Sequence, residues 1–143
     1  MTMKRLKSQR GAALLETAIT IPLVLAVCVA IFEFGRAYQT WHVLTNAARE
    51  GARVAILADT TDGQVSTVVD NYLEAGRIKD FETATVNVER TVPFGSNTAS
   101  RITVTYPYNF MFLNPVMRLL NKESTTGKGT TMMQSVALMR NES

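Results

Sequence analysis

A glutamate, Glu16, stands inside an apolar stretch of the chain, and its spacing from Gly11 is the feature most able to do chemistry. The stretch runs from Ala12 to Phe34, and Glu16 is its fifth residue. A carboxylate in the hydrocarbon of a bilayer costs about 2.5–3.5 kcal/mol on insertion scales, so an acid at this place is expected to have a function. Cleavage of the peptide bond after Gly11 would leave Ala12 with a free α-amino group about one helical turn from Glu16. The ammonium and the carboxylate would then compensate each other. In a bundle of helices this selects one register, because a misaligned neighbour leaves a buried charge unpaired.

A basic leader precedes the apolar stretch and predicts its orientation. Residues 1–11 contain four basic residues and no acid. Under the positive-inside rule this leader stays in the cytoplasm. Residues 12–34 would span about 33 Å as a helix, enough to cross a bilayer core of about 30 Å. We therefore predict a leader (1–11), a single transmembrane segment (12–34) and a domain (35–143) on the far side of the membrane, which in a bacterium is the periplasm.

The rest of the composition argues against several classes of protein. The formal charge of +3 comes from the leader, because the other eleven basic residues are matched by twelve acidic ones. A folded domain without a basic excess is not expected to bind nucleic acid. Cys28, the one cysteine, falls in the apolar stretch, and His42 is the one histidine. The sequence has no zinc-ligand spacing, P-loop or GxSxG motif, so we expect no enzyme activity, metal or cofactor.

Helical spacing continues beyond the apolar stretch, to about Ala58. Ala47, Gly51 and Ala55 recur every four residues, which would let another backbone approach closely, either beneath a sheet of the same chain or at a seam between subunits. Glu33 and Arg36 are spaced i, i+3 at the expected membrane exit. This spacing predicts an ion pair or a contact with a neighbouring subunit.

A short second helix is predicted next. Asp59 to Gly63 is typical of a turn, and Thr61 with Gln64 resembles a capping box that opens the helix. An apolar stripe with helical spacing follows, and Gly76 is expected to end it.

The hydrophobic period then changes from about 3.6 to about 2, which predicts strands. Two alternating segments flank a turn at Pro93–Thr98, and Pro107 indicates that the second strand ends there or lies at an edge. A loop with a short helix after Pro115 is expected, then a solvated loop at Asn121–Thr130. A last strand, Thr131–Arg140, is predicted to carry four side chains on one side: Met132, Gln134, Val136 and Leu138. Together these elements predict an α+β fold in which about three antiparallel strands pack on the amphipathic half of the long helix.

Several of these features resemble a known family. The sequence G-AALLE resembles the processing site of type IV prepilins and pseudopilins, in which Gly precedes the cut and Glu is fifth after it. The first third of the chain resembles the TadE-like minor pilins of tight-adherence (Tad) systems. The residues that carry this resemblance are Arg10-Gly11-Ala12-Ala13, Glu16, Pro22, Glu33-Phe34-Gly35-Arg36 and Asn46-Ala47-Ala48-Arg49-Glu50-Gly51-Ala52-Arg53.

The resemblance implies a pilin-like fold and a minor pilin or pseudopilin that a prepilin peptidase trims after Gly11. It also implies roles in pilus assembly or initiation, adhesion and biofilm formation. The implied partners are the prepilin peptidase, other pilin subunits, inner-membrane platform proteins, an assembly ATPase and membrane lipid. Two alternatives remain open: a cleaved secretory signal peptide, and an uncleaved signal anchor that holds a non-polymerising periplasmic binding domain.

Overall fold

One long helix forms the N-terminal part of the molecule, and the other elements pack against its second half. The computed structural model describes the backbone of residues 3–57, 59–112 and 130–141, with side chains from Gly11 onward. Helix α1 runs from Met3 to Ala55 without interruption, so it is about 80 Å long. It starts before Ala12, the expected first residue, because the leader contains no proline and its lysines and arginines favour a helix. At the other end it stops at Ala55, before the predicted end near Ala58.

The apolar half of α1 is bare. Within the described residues, α1 is the one helix long and apolar enough to cross a membrane, and none of its most apolar stretch is buried by the rest of the chain. Residues 11–28 are all exposed. Pro22 lies within this part and does not end the helix, as is tolerated in membrane helices. This half is compatible with a single-pass membrane anchor.

The second helix forms as predicted. Helix α2 spans Asp62–Ala75, and Thr61 caps it through a complete capping box with Gln64. The Thr61 backbone N–H donates to the Gln64 side chain at 2.8 Å, and the Gln64 N–H donates to the Thr61 hydroxyl at 3.3 Å. Gly76 is the C-cap. A short 3₁₀ helix at Phe81–Thr83, which the sequence pattern did not predict, leads into the sheet.

Three antiparallel strands form a sheet in the order β1-β2-β3. They are β1 (Thr85–Phe94), β2 (Asn97–Asn109) and β3 (Thr130–Arg140). Pro107 does not end β2. It pairs with β3 alone, because β1 reaches only as far as Thr105 of β2. The missing donor of proline thus falls where β2 is locally an edge strand. The α+β fold is confirmed, while the helix predicted after Pro115 and most of the loop at Asn121–Thr130 lie outside the described residues.

The core forms where the second half of α1 packs against α2, β2 and β3. Apart from Leu44, the buried apolar side chains of α1 are alanines. Larger ones lie on its partners, including Val65, Val69 and Leu73 of α2 and Ile102 and Val104 of β2. The four β3 side chains predicted to share a side do so, but they face outward: Met132 is 66% exposed and Val136 54%. Met133, Ser135, Ala137 and Met139 point toward the helix instead.

Candidate functional site

The residues of the predicted cleavage site lie on the exposed surface of α1. Gly11 and Ala12 are both exposed. A Cβ atom added to Gly11 would meet nothing within 4 Å. No side chain described in the structure therefore blocks this peptide bond, and a side chain placed at position 11 would not disturb the fold.

Glu16 has no cation beside it among the described side chains. It is exposed on α1, and it takes part in none of the four ion pairs that the described residues form. Its neighbour Thr17 is satisfied within the helix, because its hydroxyl donates to the Ala13 carbonyl at 2.8 Å. If this half of α1 enters a membrane, Thr17 therefore needs no further hydrogen-bond partner. Glu16 needs a cation from outside the described residues.

Glu33 is the opposite case, because it is fully buried at the end of the predicted span. Its exposed fraction is 0%. The two carboxylate oxygens accept hydrogen bonds from the backbone N–H groups of Met111 (2.8 Å) and Phe112 (2.7 Å). Arg36 Nη1 lies 3.3 Å from the same carboxylate, so the predicted i, i+3 ion pair forms. The acid thus joins α1 to the segment after β2, a role that the sequence pattern did not predict.

Aromatic side chains lie beside the joint between α1 and the sheet, which is formed by Glu33, Met111 and Phe112. The rings of Phe32 and Phe112 meet edge to face with centroids 6.4 Å apart. The Arg36 guanidinium lies 6.0 Å from the centroid of Tyr108, within the range of a cation–π contact. The globular part is therefore fixed to α1 at the residues where the helix is expected to leave the membrane. The subunit contact proposed for Glu33 and Arg36 stays a prediction.

The small residues Ala47, Gly51 and Ala55 of α1 pack against other elements of the same chain. Ala47 and Ala55 are buried. A Cβ atom at Gly51 would lie 2.7 Å from Val69 Cγ2 and 3.4 Å from Ile102 Cγ2. Their close approach thus serves α2 and β2, which is the first of the two packing alternatives. A role at a seam between subunits stays a prediction.

Arg90 joins the opposite end of α1 to the sheet, and sequence reasoning missed it. Between the pairs Glu89–Arg101 and Val92–Ala99, β1 has one residue more than β2, which is a bulge. A bulge redirects the side chain it contains. Arg90 Nη1 donates to the Ala55 carbonyl at 3.0 Å, and Arg90 Nε lies 2.6 Å from Asp62.

Among the described residues, no group of three or more His, Cys, Asp and Glu side chains could hold a metal ion.

Burial raises the pKa of Tyr106 and of Tyr108. The hydrogen bond from Arg53 lowers the pKa of Glu50, which is on the exposed surface of α1.

Comparisons with known proteins match one segment of the chain to a family. Residues 11–53 match the family described as TadE-like protein. No curated protein and no solved structure matches the chain. The matched segment begins at Gly11 and ends just before the end of α1, so it contains Glu16, Glu33 and most of the small-residue stripe.

Proposed function

From the TadE-like segment at residues 11–53, we propose that this chain is a minor pilin or pseudopilin of a Tad-type pilus. The leader stays in the cytoplasm, α1 crosses the inner membrane once, and the α+β domain faces the periplasm. A prepilin peptidase trims the chain after Gly11. The mature protein then acts in pilus assembly or initiation, with adhesion and biofilm formation as the downstream roles.

The exposed, apolar half of α1 and the acid within it are the observation that carries this proposal. A folded domain leaves so long an apolar surface bare only when lipid or other helices cover it. Glu16 lies within that surface and has no cation beside it among the described side chains. The new amino group of Ala12, from the same or a neighbouring subunit, supplies one. In a filament core the pair would select the register of neighbouring helices.

The function is assembly rather than catalysis. The partners are the prepilin peptidase, other pilin and minor pilin subunits, the platform proteins and assembly ATPase of the inner membrane, and lipid. Neither a cofactor nor a metal is needed for such a role.

Mass spectrometry of the protein extracted from membranes tests the processing step. A mature N-terminus at Ala12 is expected, and Gly11→Val is expected to abolish it. Gly35→Val is the matched control, because a Cβ atom at either glycine meets nothing within 4 Å. An intact leader in the unsubstituted protein would refute the proposal and favour an uncleaved anchor that holds a binding domain.

Pilus production tests the role of Glu16 separately. Glu16→Ala is expected to reduce the number of pili while leaving cleavage intact. Thr17→Ala is the control, because the Thr17 hydroxyl bonds only within its own helix. Normal pilus numbers in the Glu16→Ala strain would show that the acid does not set the register.

A further inference from the structure

A cleft opens beside α1 close to the joint at Glu33. Its volume is about 360 Å³, and it lies between α1, the turn after α2 (Gly76–Asp80) and the end of β2. Arg36 and Gln39 line it from the helix, and Phe110 and Met111 line it from the segment after β2. The processing and register roles of α1 do not use this cleft.

The cleft carries more positive than negative charge. Three cations line it: Arg36, Arg77 and Lys79. Asp80 is the acid among the lining residues. Glu33 does not line the cleft but pairs with Arg36, which does. One positive charge remains when both acids are counted. Arg77 and Lys79 are exposed and take part in none of the ion pairs formed by the described residues.

A buried hydroxyl in the wall of the cleft has no acceptor. Tyr108 is 4% exposed, and its hydroxyl has no hydrogen-bond partner among the described residues. Tyr106 lies two residues earlier on the same face of β2, and its hydroxyl donates to the Lys79 carbonyl at 2.5 Å. Buried hydroxyls are normally paired. This one is closed to solvent, so it belongs to the wall of the cleft rather than to the surface that a ligand would contact.

The turn that presents two of the cations is held in an unfavourable conformation. Arg77 has φ 55° and Asp80 φ 51°, in the left-handed region that non-glycine residues seldom adopt. Such residues persist where the surroundings fix them. Here the Ile78 N–H donates to Leu73 O at 3.1 Å, and the Tyr106 hydroxyl holds Lys79. The backbone that bears the two cations is therefore fixed, and the exposed side chains of Arg77 and Lys79 extend from it.

The depth of the cleft matches the headgroup layer. If the hydrocarbon ends near Phe34, a headgroup layer about 7 Å deep covers about five further residues of the helix. Arg36 and Gln39 fall in that interval. Tyr38 and Trp41 are exposed nearby, as aromatic residues are at membrane interfaces.

We propose that this cleft binds the phosphate of an anionic phospholipid in the leaflet where α1 leaves the membrane. The proposal rests on the proposed insertion of α1. Guanidinium groups bind phosphate through paired hydrogen bonds, and Arg36 and Arg77 supply two. Phe110 and Met111 give the cleft an apolar side, and Met111 is 57% exposed. A lipid fits this combination of charge and apolar surface, whereas free phosphate would use only the charge.

Binding of lipid to the purified full chain in a neutral detergent tests the proposal by native mass spectrometry. Dioleoylphosphatidylglycerol is expected to bind more tightly than dioleoylphosphatidylcholine. The double variant Arg77→Gln/Lys79→Gln is expected to weaken phosphatidylglycerol binding by about tenfold or more. The control is Arg49→Gln/Arg140→Gln, which removes the same charge from exposed positions outside the cleft.

Four results would overturn the proposal: no preference for phosphatidylglycerol, an unchanged affinity in the cleft variant, an equal loss in the control, or displacement of the lipid by millimolar inorganic phosphate. A photocrosslinker at position 77 that captures another pilin subunit instead of lipid in cells would also overturn it. Circular dichroism checks that each variant is folded. N-terminal processing reports on the proposed function independently, so trimming after Gly11 without lipid binding refutes this inference alone. Failure of the chain to float with membranes would refute both.

Discussion

Glu33→Gln is expected to release the segment after β2 from the long helix. The carboxylate accepts two backbone N–H groups and pairs with Arg36. Glutamine keeps one acceptor oxygen but turns an NH₂ group toward the second N–H. One buried donor is then unsatisfied, at a cost of about 1–3 kcal/mol, and the remaining bond loses its charge. We expect a local loss of about 2–3 kcal/mol at Met111 and Phe112.

Amide hydrogen exchange of the full chain in detergent measures this loss directly. If the segment opens locally, the Met111 and Phe112 amides should exchange about 30- to 150-fold faster, which is the equivalent of 2–3 kcal/mol. Amides in the centre of α2 and β2 should change little, because the core packs without Glu33.

Glu50→Gln is the matched control. Glu50 also pairs with an arginine three residues later, but its side chain is 33% exposed and its described bonds go to Arg53 alone. Exposed pairs of this kind contribute about 0–1 kcal/mol. The reasoning fails if the two substitutions have equal effects, or if Glu33→Gln leaves the exchange of Met111 and Phe112 unchanged.

Three further predictions concern packing, the end of α1 and alkaline pH. Gly51→Ala should lower the free energy of unfolding by about 1–3 kcal/mol in chemical denaturation, because the new Cβ atom overlaps a methyl group of α2. Gly63→Ala, where the nearest atom is 3.9 Å away, should not. Arg90→Lys should cost about 1–2 kcal/mol by the same measurement, because one ammonium cannot reproduce the fork that binds two groups on different helices; an unchanged stability would contradict this role. Burial raises the pKa of Tyr106 and Tyr108. Stability is therefore complete below the unfolded tyrosine pKa of about 10 and falls as pH rises through the folded values. Circular dichroism should show Tyr108→Phe to be less sensitive to alkali than the unsubstituted chain, and equal sensitivity would refute this.

The elements that depend on nearby residues were predictable from the sequence. The capping box of α2 is an example, because Thr61 and Gln64 are three residues apart and satisfy each other's backbone N–H groups. The ion pair of Glu33 with Arg36 is another. In both cases the partner lies within one helical turn, so spacing alone identifies it.

The contacts that depend on distant residues were not predictable in this way. Met111 and Phe112 reach Glu33 across 78 and 79 residues, and Arg90 reaches Ala55 across 35. Backbone groups carry no residue signature, so nothing in the sequence marks Met111 as a donor. The alternation in β3 predicted which side chains share a face, but not which face would pack against α1.

Two acids on one helix now have different physical explanations. Glu33 is buried, but the chain itself supplies two backbone donors and a guanidinium, so its charge is stabilised without another molecule. Glu16 lies in the bare apolar half, where no cation among the described residues accompanies it. If this half of α1 enters a membrane, the penalty for a charge in hydrocarbon applies to Glu16 and not to Glu33. Both lie in the TadE-like segment, so position within that segment does not separate their roles. The available partners do: Glu33 bonds to the segment after β2, whereas Glu16 has no cation beside it among the described side chains. The register role proposed above therefore concerns Glu16 alone.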